Sequence, residues 1–345
     1  MPQRVPISPQ CSTNFSMAGV SFISTRSISR ISVRTEIIDC RPAIVNPETL
    51  ADDHPMNPLV LHFASGLSLF SGGAVLLLAV LLASRLTSPW LGRLRNLLAA
   101  IGIAFVIMAS APHGWWLYVL LIAAFVFWFI TQNIERLRLK RSLHLTASGV
   151  CLASLLLFVV PEAVHMRAPT LPPLQQPRLY VVGDSISSGI EANFPPWPDV
   201  FAKTHHVEVV NLSRPGIGMA EALPLARKID SDNGLVLLEI GGNDLLGGLS
   251  AEDFERQLDQ LFRDVVKPKR TVVMMELPLL PHFIPHGRIQ RRLATQYNVP
   301  LIPKRHFVSA IAGADATSDG LHLSEAGTRR MVQSLGPVLL PALQR

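Results

Sequence analysis

The chain has 345 residues, of which 49% are hydrophobic and only 16% charged. That is too apolar for an ordinary soluble protein, and the length leaves room for two domains. The formal net charge is +6, and the whole excess precedes Pro177, because the residues from Pro177 onward hold 18 Lys+Arg and 18 Asp+Glu. Basic charge flanking apolar segments reads as membrane topology and excludes a nucleic-acid-binding face as its purpose. Cysteines occur at Cys11, Cys40 and Cys151, and none follows. The C-terminal part therefore has neither a disulfide framework nor a thiolate metal site. No histidine pair has metal-ligand spacing either, so no metal and no cofactor are expected.

Residues 1–58 are read as an extension. Eight serines, four arginines and no acidic residue fall within residues 1–35, which resembles a transit peptide in composition. An untranslated or disordered segment ahead of Met56 is the favoured alternative, and no packed structure is expected before Pro58.

Four apolar segments fill residues 59–160. Leu59–Ala83 runs 25 residues without a charge, Asn96–Ala111 and Trp115–Ile130 are 16 each, and Leu143–Val160 is 18. A soluble bundle needs a polar face on each helix, so four transmembrane helices are expected. Trp115, Trp116 and Tyr118 at one end of the third segment and Trp128 near the other stand where an aromatic belt would place them. Arg85, Arg93 and Arg95 lie between the first and second segments, and Arg136, Arg138, Lys140 and Arg141 between the third and fourth. Both basic loops are then cytoplasmic, and everything after Val160 is extracytoplasmic, periplasmic or extracellular.

Residues 161–177 carry five prolines and read as a stiff spacer. At ~3.1 Å per residue it would reach up to roughly 50 Å. Residues 178–345 then alternate. Strands are expected at Leu179–Val182, Val207–Leu212, Leu235–Ile240, Thr271–Leu277 and Val299–Ile302. Helices are expected near Trp197–Lys203, Met219–Ile229, Ala251–Val266, Arg288–Tyr297 and Glu325–Leu340. This is the pattern of an α/β domain with a parallel sheet.

Sites on such sheets lie beyond the carboxyl ends of the strands. There the sequence places Gly183-Asp184-Ser185, then Asn211 to Gly218, then Gly241-Gly242-Asn243-Asp244, and late in the chain Asp319-Gly320-Leu321-His322. A serine hydroxyl needs an adjacent base to attack a carbonyl. His322 can be that base, with Asp319 fixing its tautomer. The backbone N–H groups of Ser185 and Gly216 and the side-chain amide of Asn243 can meet an oxyanion.

Together these four blocks resemble the SGNH/GDSL hydrolase superfamily, and Trp197-Pro198 resembles its bacterial lysophospholipase-like esterases. The resemblance covers roughly Arg178–Leu340. It implies a three-layer α/β/α, flavodoxin-like fold and metal-independent hydrolysis of carboxylic esters or thioesters. It also implies Ser185 as nucleophile, His322 as base and Asp319 as its partner, with Ser185, Gly216 and Asn243 forming the oxyanion hole. Three departures stand out. Ile186 replaces a usual leucine, Arg214-Pro215 precede Gly216 where small residues are common, and Gly218 stands where Ser or Thr often follows. Gly216 is chosen over Gly218 from its offset to Asn211.

The apolar stretch from Leu277 to His286 borders the same sheet edge and is either an acyl-pocket wall or a packed surface loop. The expected protein is a membrane-anchored serine esterase acting on small-molecule, lipid or cell-envelope glycan esters. An O-acyltransferase with a sugar acceptor, or a non-catalytic membrane sensor, are the alternatives.

Overall fold

The computed structural model describes residues 57–83, 88–134, 141–190, 194–230 and 233–344. The N-terminal extension with Cys11 and Cys40, and the loop residues Arg85, Arg136, Arg138 and Lys140, lie outside them.

The first apolar segment is not one helix. Helix α1 (Pro58–Ala64) starts with Pro58 in its first turn and is capped by the Asn57 side chain, which accepts from the amides of Leu59 and Val60. It breaks at Gly66, where φ is +85°, a conformation that ends a right-handed helix and that glycine adopts without steric cost. Helix α2 (Ser68–Ala83) leaves at 85° to α1. The continuous span expected over Leu59–Ala83 is therefore replaced by a bent pair. Its longer arm has 16 residues, about 24 Å at the helical rise against about 30 Å for a hydrocarbon core. Helices α3 (Pro89–Met108), α4 (Trp115–Asn133) and α5 (Arg141–His165) are each long and apolar enough to cross a membrane.

The four long helices pack through small residues and aromatics. A side chain on Gly72 of α2 would stand 2.8 Å from the Gly102 carbonyl of α3, so the two backbones meet closely there. Trp128 and Phe158 fill the interior with Leu69 and Leu76, all fully buried. Outward-facing leucines and phenylalanines such as Leu81, Leu97 and Phe129 stay exposed, as on a surface adapted to lipid.

Helix α5 does not stop at Val160 but continues through Pro161 to His165. The residues after it do not stand off as a spacer. Leu171 is buried in the same core as Leu179 and Val181, and the Leu174 amide donates to Ala342 O at 3.0 Å. Apolar side chains between the prolines find a surface to cover, and that burial outweighs the extended preference of the prolines.

Among the described residues the α/β part holds five strands: β1 (Arg178–Gly183), β2 (Glu208–Asn211), β3 (Leu235–Glu239), β4 (Thr271–Met275) and β5 (Leu301–Ile302). All pairings are parallel, in the order β2-β1-β3-β4-β5. Period-two alternation divides the core cleanly. Val182, Leu238 and Met274 face one cluster, under α8 (Met219–Ala226), α10 (Ala251–Val265) and α11 (Ile284–Gln296). Val181, Leu237 and Met275 face the other, with α7 (Trp197–His205), α12 (Arg305–Ile311) and α13 (Glu325–Leu343). Two short helices, α6 (Ser185–Ser188) and α9 (Gly242–Leu246), follow β1 and β3 directly. Connections run to opposite sides of β1, so the gap between the ends of β1 and β3 is the switch point where ligands enter open α/β sheets.

Candidate active site

Ser185 is placed by the end of β1. The strand stops at Gly183, where any side chain would press within 2.9 Å of Glu239 O, and Asp184 caps the short α6 by accepting from the Ile186 amide. Ser185 thus opens a helix at the sheet edge, 7% exposed. Asp319-Gly320 forms a turn in which Gly320 has φ +87°, and this turn presents His322 to the same edge. His322 Nε2 lies 3.0 Å from Ser185 Oγ, across 137 residues of chain. On the other side of the ring, Nδ1 lies 2.6 Å from Asp319 Oδ2.

The Asp319 carboxylate also accepts the amides of Leu321 and His322 through Oδ1, at 3.0 and 2.8 Å. The His322 amide and ring, with the Leu321 amide, hold Asp319 well below the ordinary carboxylate range. An ionised carboxylate on Nδ1 favours the tautomer whose Nε2 accepts, and a ring so held can take a proton from a serine hydroxyl.

The other expected site residues gather around this pair unevenly. Asn243, in the first turn of α9, donates its amide to Ile217 O at 2.9 Å and, at 3.4 Å, to Asp184 Oδ2. It therefore ties the loop after β2 to the residue preceding Ser185. Gly216 is exposed in that loop with φ +72°, and the Arg214 amide donates to Gly183 O at 3.1 Å. Gly218 donates its amide to Glu221 Oε2 at 3.1 Å and caps α8. Its N–H is spoken for within its own helix cap.

Behind the serine stands a set of carboxyls. Glu239 ends β3, is 5% exposed, and accepts from Ser187 Oγ at 2.8 Å. Ser187 Oγ in turn accepts from the indole of the fully buried Trp197 at 3.1 Å. Burial pushes Asp184 up to about 6, while the Ile186 amide and His322 pull the other way. Burial, reinforced by Asp184, also holds Glu239 well above the ordinary carboxylate value. Asp244 is raised as well, chiefly by burial, and accepts the Met219 amide. Glu239 was legible as an anomaly, one acid closing an otherwise apolar strand, Leu235-Val236-Leu237-Leu238-Glu239.

A pocket of about 240 Å³ opens beside Ser185. Leu245, Leu277, Leu280, Phe283, Phe307 and Ile311 are among the residues of its apolar wall. The stretch after β4 is thus pocket wall at Leu277, Leu280 and Phe283, whereas His286 points away and pairs with Leu249 O at 2.9 Å. A larger, shallower depression of 860 Å³ beside Arg178 and Glu208 lies at the opposite ends of the strands and includes none of these groups.

The family model described as the GDSL-like Lipase/Acylhydrolase family matches residues 181–330. Esterase TesA of Pseudomonas aeruginosa is 27% identical over 181 residues, covering 48% of this chain and 89% of its own length. Among solved structures, a crystal structure of TesA aligns at 25% identity and TM-score 0.41, over 48% of this chain and 98% of that one. The psychrotrophic esterase EstA from Pseudoalteromonas sp. aligns at 17% identity and TM-score 0.42, over 47% and 96% respectively. The family match takes in Ser185, Gly216, Asn243, Asp319 and His322. This chain carries in its C-terminal half a GDSL-like lipase/acylhydrolase (SGNH) domain, an ester-hydrolysing serine hydrolase.

Proposed function

We propose that Ser185 is the nucleophile, His322 its general base and Asp319 the group that orients the imidazole. The observation that carries this reading is the unbroken relay Asp319 Oδ2, His322 Nδ1, His322 Nε2, Ser185 Oγ, with links of 2.6 and 3.0 Å. In the reaction, His322 Nε2 takes the hydroxyl proton as Oγ attacks the ester carbonyl carbon. The carbonyl π pair moves to oxygen, and the tetrahedral intermediate forms. Collapse breaks the bond to the alcohol oxygen, which leaves with the proton from Nε2. Water, deprotonated by the same nitrogen, then releases the acid from the acyl-enzyme.

The oxyanion is assigned to the amides of Ser185 and Gly216 and to the Asn243 side chain. The engagement of the Gly218 amide with Glu221 supports Gly216 over its neighbour. The longer of the two Asn243 contacts, to Asp184, is the one an oxyanion would displace.

The substrate is an acyl or acetyl ester of a lipid or envelope sugar, and the apolar wall beside Ser185 supports an acyl group there. Residues 59–160 are the membrane domain, with the bent α1–α2 pair serving as the fourth, broken crossing. Residues 161–177 connect it to the hydrolase of residues 178–345 on the extracytoplasmic side. The charge of the loops supports this orientation.

Ser185→Ala tests the assignment. Hydrolysis of p-nitrophenyl esters should fall by about 10³-fold or more with the fold unchanged. Retention of full activity in that variant would reject Ser185 as nucleophile.

A further inference from the structure

The helix bundle and the sheet domain meet through a buried chain of charges. Arg291 of α11 is held by Glu162 of α5 through two contacts, Nη1 to Oε2 at 2.7 Å and Nη2 to Oε1 at 2.8 Å. From the same guanidinium, Nε reaches Glu276 Oε1 at 2.8 Å. Glu276 Oε2 accepts the Lys304 amide at 3.4 Å, and Lys304 Nζ returns to the bundle by donating to Ala109 O at 3.2 Å. All four side chains are more than nine-tenths buried. Burial works against the Arg291 charge, but Glu162 and Glu276 more than offset it. Burial lowers Lys304.

The sheet-domain members of this charge chain connect to the pocket beside Ser185, Glu276 directly and Arg291 and Lys304 through the elements they belong to or precede. Glu276 follows β4 and lines the pocket itself. Arg291 belongs to the helix that continues from the Leu280–Phe283 wall. Lys304 immediately precedes α12, which supplies Phe307 and Ile311. The bundle touches the same two walls elsewhere. Pro112, in the turn between α3 and α4, stands where a side chain on Gly287 would come within 3.0 Å, and the Asn57 amide donates to Ala312 O just beyond α12. The family match includes Glu276, Arg291 and Lys304 but ends well short of Glu162 and Ala109.

We propose that Arg291 is a positioning residue for acyl-chain selection. Gripped by Glu162 and Glu276, it transmits the seating of the helix bundle to the pocket walls and so sets how long an acyl group the enzyme accepts. Lys304 carries the second arm of the same coupling, from Ala109 to the wall formed by α12. Buried ion pairs are weak sources of net stability but are costly to leave half-made. They hold one geometry and penalise others, which suits a part that must keep two walls at a fixed separation. The inference rests on the esterase reading above, and the test separates the two.

The experiment uses the full chain in detergent micelles or nanodiscs. Labelling by a small fluorophosphonate and hydrolysis of p-nitrophenyl acetate report the catalytic relay; p-nitrophenyl butyrate and octanoate report the pocket. In Glu162→Gln, labelling and acetate turnover should stay within about twofold of the parent. Octanoate kcat/KM should change by about tenfold or more, mostly through KM. Lys304→Met should alter the chain-length profile in the same selective way. A profile that shifts by one common factor for all esters, or not at all, overturns the coupling. If Glu162→Gln does not yield folded protein, Glu162→Asp, which keeps the charge with a shorter reach, is read by the same criteria. A parent protein that neither labels nor hydrolyses acetate would defeat the esterase reading itself. A reactive parent with an indifferent profile defeats only the coupling.

Discussion

Glu239 shows how much a single side chain can be asked to tolerate. It sits beneath Ser185 and Ser187 with Asp184 as a neighbour, and burial favours its neutral form. A carboxyl raised in the folded state binds its proton more tightly there than in the unfolded chain. The fold therefore loses stability as pH climbs from the ordinary carboxylate value through the raised one. For Asp184 that window runs from 3.8 to about 6, and Glu239 is shifted in the same direction. Glu239→Gln keeps the shape and an acceptor for Ser187 while removing one proton from the account. Its melting temperature should gain on the parent as pH rises from 4 to 8, in a thermal unfolding series of both proteins. A constant difference across that range would show that Glu239 is not held neutral by burial. Asp319 acts with the opposite sign, because its lowered value gives stability that is lost on acidification. It is common to both proteins and cancels in the comparison.

At the scale of elements, the bend between α1 and α2 depends on one glycine. Gly66 combines φ +85° with the Lys304 chain, whose Cε would lie 2.9 Å from an added side chain. Gly66→Ala should cost about 1–2 kcal/mol from the left-handed backbone alone, read as a lower melting temperature in detergent. An unchanged value would mean that the bend is not held in that conformation. The strands were legible because each is a short β-branched or apolar run ending in Gly, Asn or Pro, and all five formed where that pattern placed them. The long amphipathic helices were legible for the same kind of reason. The break at Gly66 was not, since a glycine inside an apolar run gives no sign of its φ. Helix α12 was missed because seven residues are too few to show a period. The relay at Ser185 and His322 was readable from four motif blocks at strand ends. The Glu162–Arg291 contact was not, because nothing in either residue's neighbourhood names a partner 129 positions away.

For the whole molecule, the proposed topology puts the hydrolase on one side of a bilayer, and a reporter can locate it. An alkaline phosphatase fusion after Pro177 should be active, and activity only from a cytoplasmic reporter at that junction would invert the orientation. The stretch from Met166 to Pro177 matters here more than its length suggests. With Leu171 buried and Leu174 bonded to the last helix, the tether has no slack to pay out. On that topology Ser185 works at a constant height above the lipid and cannot lean away to meet a distant molecule. Encounters are then confined to a thin shell over the membrane, and turnover will track how often a substrate crosses that shell rather than how concentrated it is in the bulk fluid.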